Sequence, residues 1–580
     1  MSRSAPVRQD MRLSFGRIVH SEWSKLFSIR APAWVVLATV MSPMLLSLVL
    51  TAATAPAWSA NSARGTAAAL DAIAIGALPV GFLSAALGLI CMGAEYTEDS
   101  LSVTLSVAPR RRQIVCAKAL LVAGTAAASA AAGLFASLGL AWLVLSTNGY
   151  SNLPAQSMFQ TVLAISLGSA LLAVIGLGCT AIHRSALSAS IHLAIFLALA
   201  PTAVGIIVGP DAHLVADWLP GTALQAVATQ TPGASFTIEG APISGLSRGS
   251  GMLVLAAWAA VYLFAALTAV SRRSIAPRQT RTRARTSSRQ DAPNPLRGRL
   301  TTSGVFRSET LKFLTLPATW WLLGLSCFAT ISLSILQAVR TRPSDLIEGT
   351  AVTQQLIDVS AAHQSQVVAV GVGLTQLLLA LLGSLAFTTE FTSGNIRPTM
   401  IAVPRRGQLF TIKVSVVAAA TAAWTLVTTT LAAGIGIPVA MQMGFPGAPI
   451  VTGAVIEAIL RCVITSTAIA IIGCAIGALT RSAIPAVGAI IGILVLSHTA
   501  LGPMQLAARG TPLVWLANLN VLFPAPTQAV QTLPVADFSW PQFLAGDVLQ
   551  LDPNQALLVT VAWALILTVC AFFAFRSRPV

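Results

Sequence analysis

Charge is what this sequence has least of. Only 9% of its 580 residues are Asp, Glu, Lys or Arg, about a third of the ~25% usual in soluble domains. A surface that faces water all round cannot be built from so little charge, and a soluble globular class is excluded. Lysine is scarcer still: there are four, Lys25, Lys118, Lys312 and Lys413, and every other basic residue is arginine. None of the four follows a glycine. The Gly-Lys-Ser/Thr that carries a lysine to nucleotide phosphates is therefore missing, and with it a phosphate-binding loop. The seven cysteines include no CxxC pair, so no disulfide framework and no metal site is expected, and the cysteines read as small apolar fillers. Residues 1–12 are polar, with Arg3, Arg8 and Arg12 and no apolar core behind them, so no secretory leader is expected.

What is present is apolar. Hydrophobic residues make up 55% of the chain and the mean hydropathy is +0.78. Runs of about twenty apolar residues, enough to cross a ~30 Å core, occur near 33–54, 72–93, 114–146, 158–182, 186–208 and 251–271. A second set lies near 319–339, 365–388, 410–440, 450–478, 483–506 and 556–575. The runs lack the two-residue alternation of barrel strands, which leaves helices. With both termini on the cytoplasmic side, the inner segments hold 29 of the 35 Lys and Arg and the outer segments hold five, which fixes the orientation. The +16 net charge then faces anionic lipid and cytosol, with no need for nucleic acid.

The chain repeats itself. HSEWSKL at 20–26 matches RSETLKF at 307–313, with Glu22 and Glu309 287 positions apart. EY…PRRRQ…K matches EF…PRRGQ…K, with Glu95 and Glu390, Pro109 and Pro404, and Lys118 and Lys413 all 295 apart. HRSA at 183–186 matches TRSA at 480–483, and LPGTALQAV at 219–227 resembles FPAPTQAV at 523–530. Six spans is an even number, so the halves share one orientation. The expected fold is an all-α polytopic membrane protein: twelve transmembrane helices as two parallel six-helix repeats, each preceded by an interfacial amphipathic helix. The first half is 1–271, a basic disordered cytoplasmic linker occupies 272–300, and the second half is 301–580. All four lysines fall at matched places against an arginine background, which points to a specific contact or to shared ancestry alone.

Over about 14–29, Phe15, Ile18, Val19, Trp23, Leu26 and Phe27 recur at helical spacing opposite Arg17, Ser21 and Lys25. This reads as a helix lying in the inner interface, repeated more weakly at 303–317. Each half then leaves its second span at Glu95-Tyr96 or Glu390-Phe391 and enters its third after Pro109-Arg110-Arg111 or Pro404-Arg405-Arg406. The prolines suit the first turn of a new helix, the arginines suit lipid phosphates, and the carboxylates need a partner. The combination of SEWSKL, AEYTEDSLSVTLSVAPRRR…K, HRSA and LPG…QA resembles the permease subunits of ABC-2 type ABC exporters, in an actinobacterial-like form with two six-span halves fused in tandem. The resemblance covers most of the chain. It implies elbow helices carrying Glu22, Trp23, Lys25, Glu309 and Lys312. It also implies coupling segments, 95–113 and 390–408 with Lys118 and Lys413 just beyond, that dock a cytoplasmic ATPase. The second copy departs from the first at Gly407, where the first has Arg112, and at Ser393-Gly394.

The resemblance further implies a multi-pass protein of a bacterial cytoplasmic membrane. Two copies of a separate ABC ATPase would bind ATP and Mg, this chain itself holding no cofactor. The cargo would be a hydrophobic or amphipathic drug, peptide, lipid or natural product. Glu457 and Arg461, spaced to pair on one helix face, are either a polar spot on the export path or a self-neutralised pair. His192 and His498 read as isolated packing residues, and Trp218 and Trp515 as interface anchors. The competing reading is a proton-coupled transporter of the major facilitator type, which also has twelve spans. Its Gly-x-x-x-Asp-x-x-Gly-Arg loop and mid-membrane carboxylates are missing here. No acid-base or metal cluster recurs at a spacing that supports a membrane enzyme.

Overall fold

The computed structural model describes residues 14–28, 30–54, 76–97, 111–147, 155–201, 204, 213–228, 237–238, 241–242, 246–272, 301–341, 353–445, 453–496, 522–531 and 551–577. The expected linker beyond Arg272, and His498, Trp515, Pro109 and Arg110, lie outside these residues. The helices of the first half are α1 (Phe15–Ser28), α2 (Arg30–Thr54), α3 (Ala77–Thr97), α4 (Arg111–Thr147), α5 (Ala155–His183) and α6 (Ala186–Ala194, continued by a π-turn over Ile195–Leu199). The short α7 (His213–Ala216) and α8 (Pro220–Ala228) and the long α9 (Arg248–Arg272) complete that half. The second half has α10 (Thr302–Thr315), α11 (Pro317–Arg340), α12 (Thr353–Ser393), α13 (Ile396–Ala402), α14 (Arg406–Gln442) and α15 (Gly453–Thr480). It continues with α16 (Ala483–Ile491, with a π-turn over Gly492–Leu496), α17 (Pro526–Ala529) and α18 (Pro553–Ser577). A two-residue ladder, Thr237–Ile238 against Ala241–Pro242, is the one β element among the described residues.

The protein is an all-α polytopic membrane protein. Nine of the described helices are long and apolar enough to cross a bilayer. A tenth is counted if 359–373 and 375–393, which meet at 44°, form one span. Shorter apolar helices cover 188–197 and 483–494, and most of the rest of the runs expected at 186–208 and 483–506 lies outside the described residues. At 37 residues each, α4 and α14 are about 55 Å long. That exceeds a ~30 Å core, so each tilts or projects beyond it.

Within the helices, hydroxyls bond the carbonyl one turn back, as Thr39 does to Val35 at 2.8 Å and Ser169 to Ile165 at 2.8 Å. Such a bond satisfies the hydroxyl within its own helix. The tightest packing is at two matching crossings. A methyl group on Gly88 would overlap the Ala173 carbonyl and one on Gly176 that of Ala85, where α3 crosses α5. In the second half Gly383 meets the Ala470 carbonyl and Gly473 that of Ala380, where α12 crosses α15. Small residues allow such contact, which replaces the hydrophobic drive that lipid surroundings remove. In each half the third span packs beside this crossing, α4 on α2 and α5, α14 on α11 and α15. The halves meet where α16 packs against α6 and α3, with Ile484 seated on the first-half core.

Candidate functional site: paired lysine–glutamate squares and a Cys-His-His cluster

In α1 the buried residues are Ile18, Glu22 and Leu26, one per turn. In α10 they are Val305, Glu309 and Phe313. Each helix thus presses a stripe with a central glutamate inward. Phe15, Trp23 and Phe27 stay 41%, 48% and 45% exposed, and the Trp23 and Phe27 rings lie 4.6 Å apart. The single apolar face expected from sequence is therefore two faces: an inward one built round the glutamate, and an aromatic one turned away from the bundle, as the expected interfacial role would require.

The inward glutamates meet the lysines. Lys118 in α4 pairs with Glu22 and lies 2.9 Å from Glu95 Oε1 in α3. Lys25 lies 2.9 Å from Glu22 Oε1 and 3.1 Å from Glu95 Oε1. The second half repeats this atom for atom. Lys413 lies 2.5 Å from Glu309 Oε2 and 2.8 Å from Glu390 Oε1, and Lys312 lies 2.7 Å and 2.9 Å from Glu309 Oε1 and Glu390 Oε1. Every lysine of the chain stands in one of these two squares. Each square is neutral and ties an amphipathic helix to the end of the second span and the start of the third. The compact ammonium explains the use of lysine: it bridges two carboxylates as a point charge, where a planar guanidinium would need a fork-shaped space. In the second square burial works against Glu309 ionising, but the ammoniums of Lys413 and Lys312 hold its carboxyl below the usual range. Burial likewise works against the charge on Lys312, and its bonds to Glu309 and Glu390 hold it above the usual lysine value.

The carboxylates placed by sequence in the coupling segments are thus not surface hooks: Glu95 is 3% exposed and Glu390 8%. Their neighbours face the next turn of the bundle. The Tyr96 hydroxyl lies 3.4 Å from the Ala181 carbonyl, and the Phe391 ring lies 5.3 Å from the Arg481 guanidinium. Arg111 donates to the Val270 carbonyl at 3.2 Å. Pro404 does not start the third span of its half as expected: α14 begins at Arg406, with Arg405 as its cap. The reason is that 396–402 of the segment already forms its own helix, α13, and Val403–Arg405 is the joint between the two. Pro404 and Arg405 are exposed. At Gly407, where the first half has Arg112, a side chain would press on the Phe572 ring. Beside this square a cavity of about 520 Å³ is lined by Lys312, Glu390, Ser393, Asn395 and Thr399 among others. Glu390 Oε2 is buried with no hydrogen-bond partner among the described residues.

Glu457 and Arg461 do pair, at 2.8 Å. The guanidinium also reaches the Ala529 carbonyl at 3.4 Å and Asn554 Oδ1, so it clasps α15 to α17 and α18. The first half closes the same joint from the other side, through Arg248 on α9, which donates to the Val227 carbonyl at 3.1 Å and to Thr161 Oγ1 at 2.9 Å.

The HRSA and TRSA turns share a backbone. Arg184 and Arg481 both have positive φ, 53° and 57°, each in the left-handed position that ends a helix. Ser185 then caps α6 by accepting from the Ser188 N–H. Sequence reading missed what gathers at the first of these turns. His192, expected to be isolated, has Nε2 2.6 Å from the Tyr262 hydroxyl and Nδ1 3.3 Å from His183 Nε2. The ligand atoms of Cys179, His183 and His192 all lie within 4.8 Å of one another. The signal available in the sequence was the i, i+4 spacing of Cys179 and His183 on one helix face.

No protein-family model, curated protein or solved structure matches this chain.

Proposed function

We propose that this protein is the membrane permease of an ATP-driven exporter of the ABC-2 kind. Its twelve spans form two parallel six-helix repeats, and both termini face the cytoplasm of a bacterial cell. Two copies of a separate ATPase supply the energy, one at each coupling segment, and the cargo is hydrophobic or amphipathic. The observation that carries this reading is the duplicated lysine–glutamate square. A device built twice, at the same boundary of each half, serves two equivalent inputs. It joins the interfacial helix, the second span and the third span into one lever, so a push on the intervening segment moves all three together. This reading reaches twelve by counting 359–393 as a tenth span beside the nine long helices and by taking the short apolar helices that begin at 188 and 483 as parts of two more. In this reading the buried glutamates hold the lever, and contact with the ATPase falls on exposed residues such as Pro404 and Arg405.

The test is co-purification. Tagged full-length chain solubilised from its native membrane should bring down a nucleotide-binding ATPase at two copies per chain. Cross-linkers placed at Arg397 and Arg405 should capture it. If the chain instead moves solute on an ion gradient when reconstituted alone in liposomes, the reading fails in favour of a secondary transporter.

A further inference from the structure

We propose that Cys179, His183 and His192 form a binding site for Zn²⁺ at the end of the first half's fourth span, with Tyr262 as the outer group that orients it.

The ligand set is of the right chemistry: one thiol and two imidazoles suit zinc, whereas hard cations take oxygen. The geometry fits as well. Two nitrogens about 2.0–2.1 Å from a tetrahedral zinc lie roughly 3.3 Å apart, and His183 Nε2 and His192 Nδ1 are 3.3 Å apart. An ideal sulfur–nitrogen separation is roughly 3.5 Å. The sulfur lies within 4.8 Å of one ring nitrogen of each histidine and needs to move in by little more than about 1 Å, within reach of a side-chain rotation. His192 Nε2 is held at 2.6 Å by the Tyr262 hydroxyl. With that nitrogen donating to the phenol oxygen, the Nδ1 lone pair is left for a metal, which is the usual outer-shell arrangement of a histidine ligand. His183 is exposed, so the fourth coordination position is not closed off by protein.

The repeat supplies an internal control. At the matched positions of the second half stand Ile476 for Cys179, Thr480 for His183, Ala489 for His192 and, one helix on, Leu567 for Tyr262. The turn itself is the same in both halves, with Arg184 and Arg481 in the same backbone conformation. The fold therefore makes this joint without any of the four polar residues, and all four occur together in the half where they can converge. Metal binding removes the thiol proton of Cys179, releases one proton to water and shifts His183 to its Nδ1–H form. A bound ion would lock the α5–α6 joint to α9 through Tyr262. That joint adjoins the contact of α6 with α16 of the other half, so the site is placed to set how the two halves lie on each other. The inference does not depend on the exporter reading.

Co²⁺, a spectroscopic stand-in for zinc, is titrated into full-length detergent-purified chain. The expected result is one ion per chain with a thiolate-to-metal charge-transfer band, displaced by Zn²⁺, and a Zn²⁺-dependent rise in thermal midpoint. Cys179→Ser should abolish the band, and His183→Ala, at an exposed position that spares the fold, should weaken binding by more than 100-fold. Tyr262→Phe should weaken it about 10–100-fold. Cys474→Ser, in the other half, should leave it unchanged. Absence of the band from the unaltered chain, or stoichiometric binding that survives His183→Ala, would overturn the proposal.

Discussion

Lys413 Nζ lies 2.5 Å from Glu309 Oε2, bridging 104 positions of sequence between two helices, with both side chains nearly fully buried. Breaking a buried pair from one side leaves an uncompensated charge and costs about 3–5 kcal/mol. Lys413→Met or Glu309→Gln alone should therefore lower the thermal midpoint of the purified chain markedly. The double variant should lose less than the sum of the two, and that shortfall is the coupling a double-mutant cycle reads. Strict additivity would mean the two groups do not act on each other.

The same square predicts opposite responses at the two ends of the pH range. Glu309 is held below its usual value, so its contribution is complete above the unfolded value of about 4.3. That contribution fades as pH falls through the lower folded value. Lys312 is held above its usual value, so its contribution is complete below about 10.4 and is lost as pH rises past the folded value. A plot of thermal midpoint against pH should slope down at both ends. Glu309→Gln should flatten the acid limb relative to the parent chain.

Much of this arrangement was legible in the sequence, and what was hidden has a physical reason. Apolar runs of span length are a one-dimensional signal, so the long helices fall where the runs stand. The four lysines stood out because two repeats keep them against an arginine background. The sequence left their partners open because Glu22 and Lys118 are 96 positions apart and meet only when α1 folds back onto α4. The start of α14 was misplaced because Pro404 suits a first helical turn, and nothing local reveals that α13 has already used the residues before it. The Cys-His-His cluster escaped because His192 reaches the other two across a turn set by the positive φ of Arg184.

Gly383 and Gly473 are where α12 and α15 touch backbone to backbone. An added methyl at either position must push the helices apart, at about 1–3 kcal/mol for an overpacked contact. Gly383→Ala and Gly473→Ala should each lower the thermal midpoint. Gly434→Ala on α14, where nothing among the described residues lies within 4 Å of an added methyl, should be neutral or slightly stabilising, because alanine favours helix over glycine. Equal losses at all three positions would remove the crossing from the account.

Arg461 holds three groups and Glu457 holds one. The guanidinium is 11% exposed and reaches Glu457, the Ala529 carbonyl and Asn554, whereas the Glu457 carboxylate is 48% exposed. Losing the arginine strands acceptors on two other elements, while losing the glutamate removes one exposed partner worth at most about 1 kcal/mol. Arg461→Ala should therefore destabilise the α15–α17–α18 joint far more than Glu457→Ala. Protection of the α17 amides against hydrogen exchange should drop in the first variant and hold in the second. Arg461→Lys should rescue only part of the loss, because one ammonium does not reproduce the fork that spans Glu457 and Asn554 together. Equal effects of the two alanine variants would make the pair a simple surface neutralisation and leave the joint to packing alone.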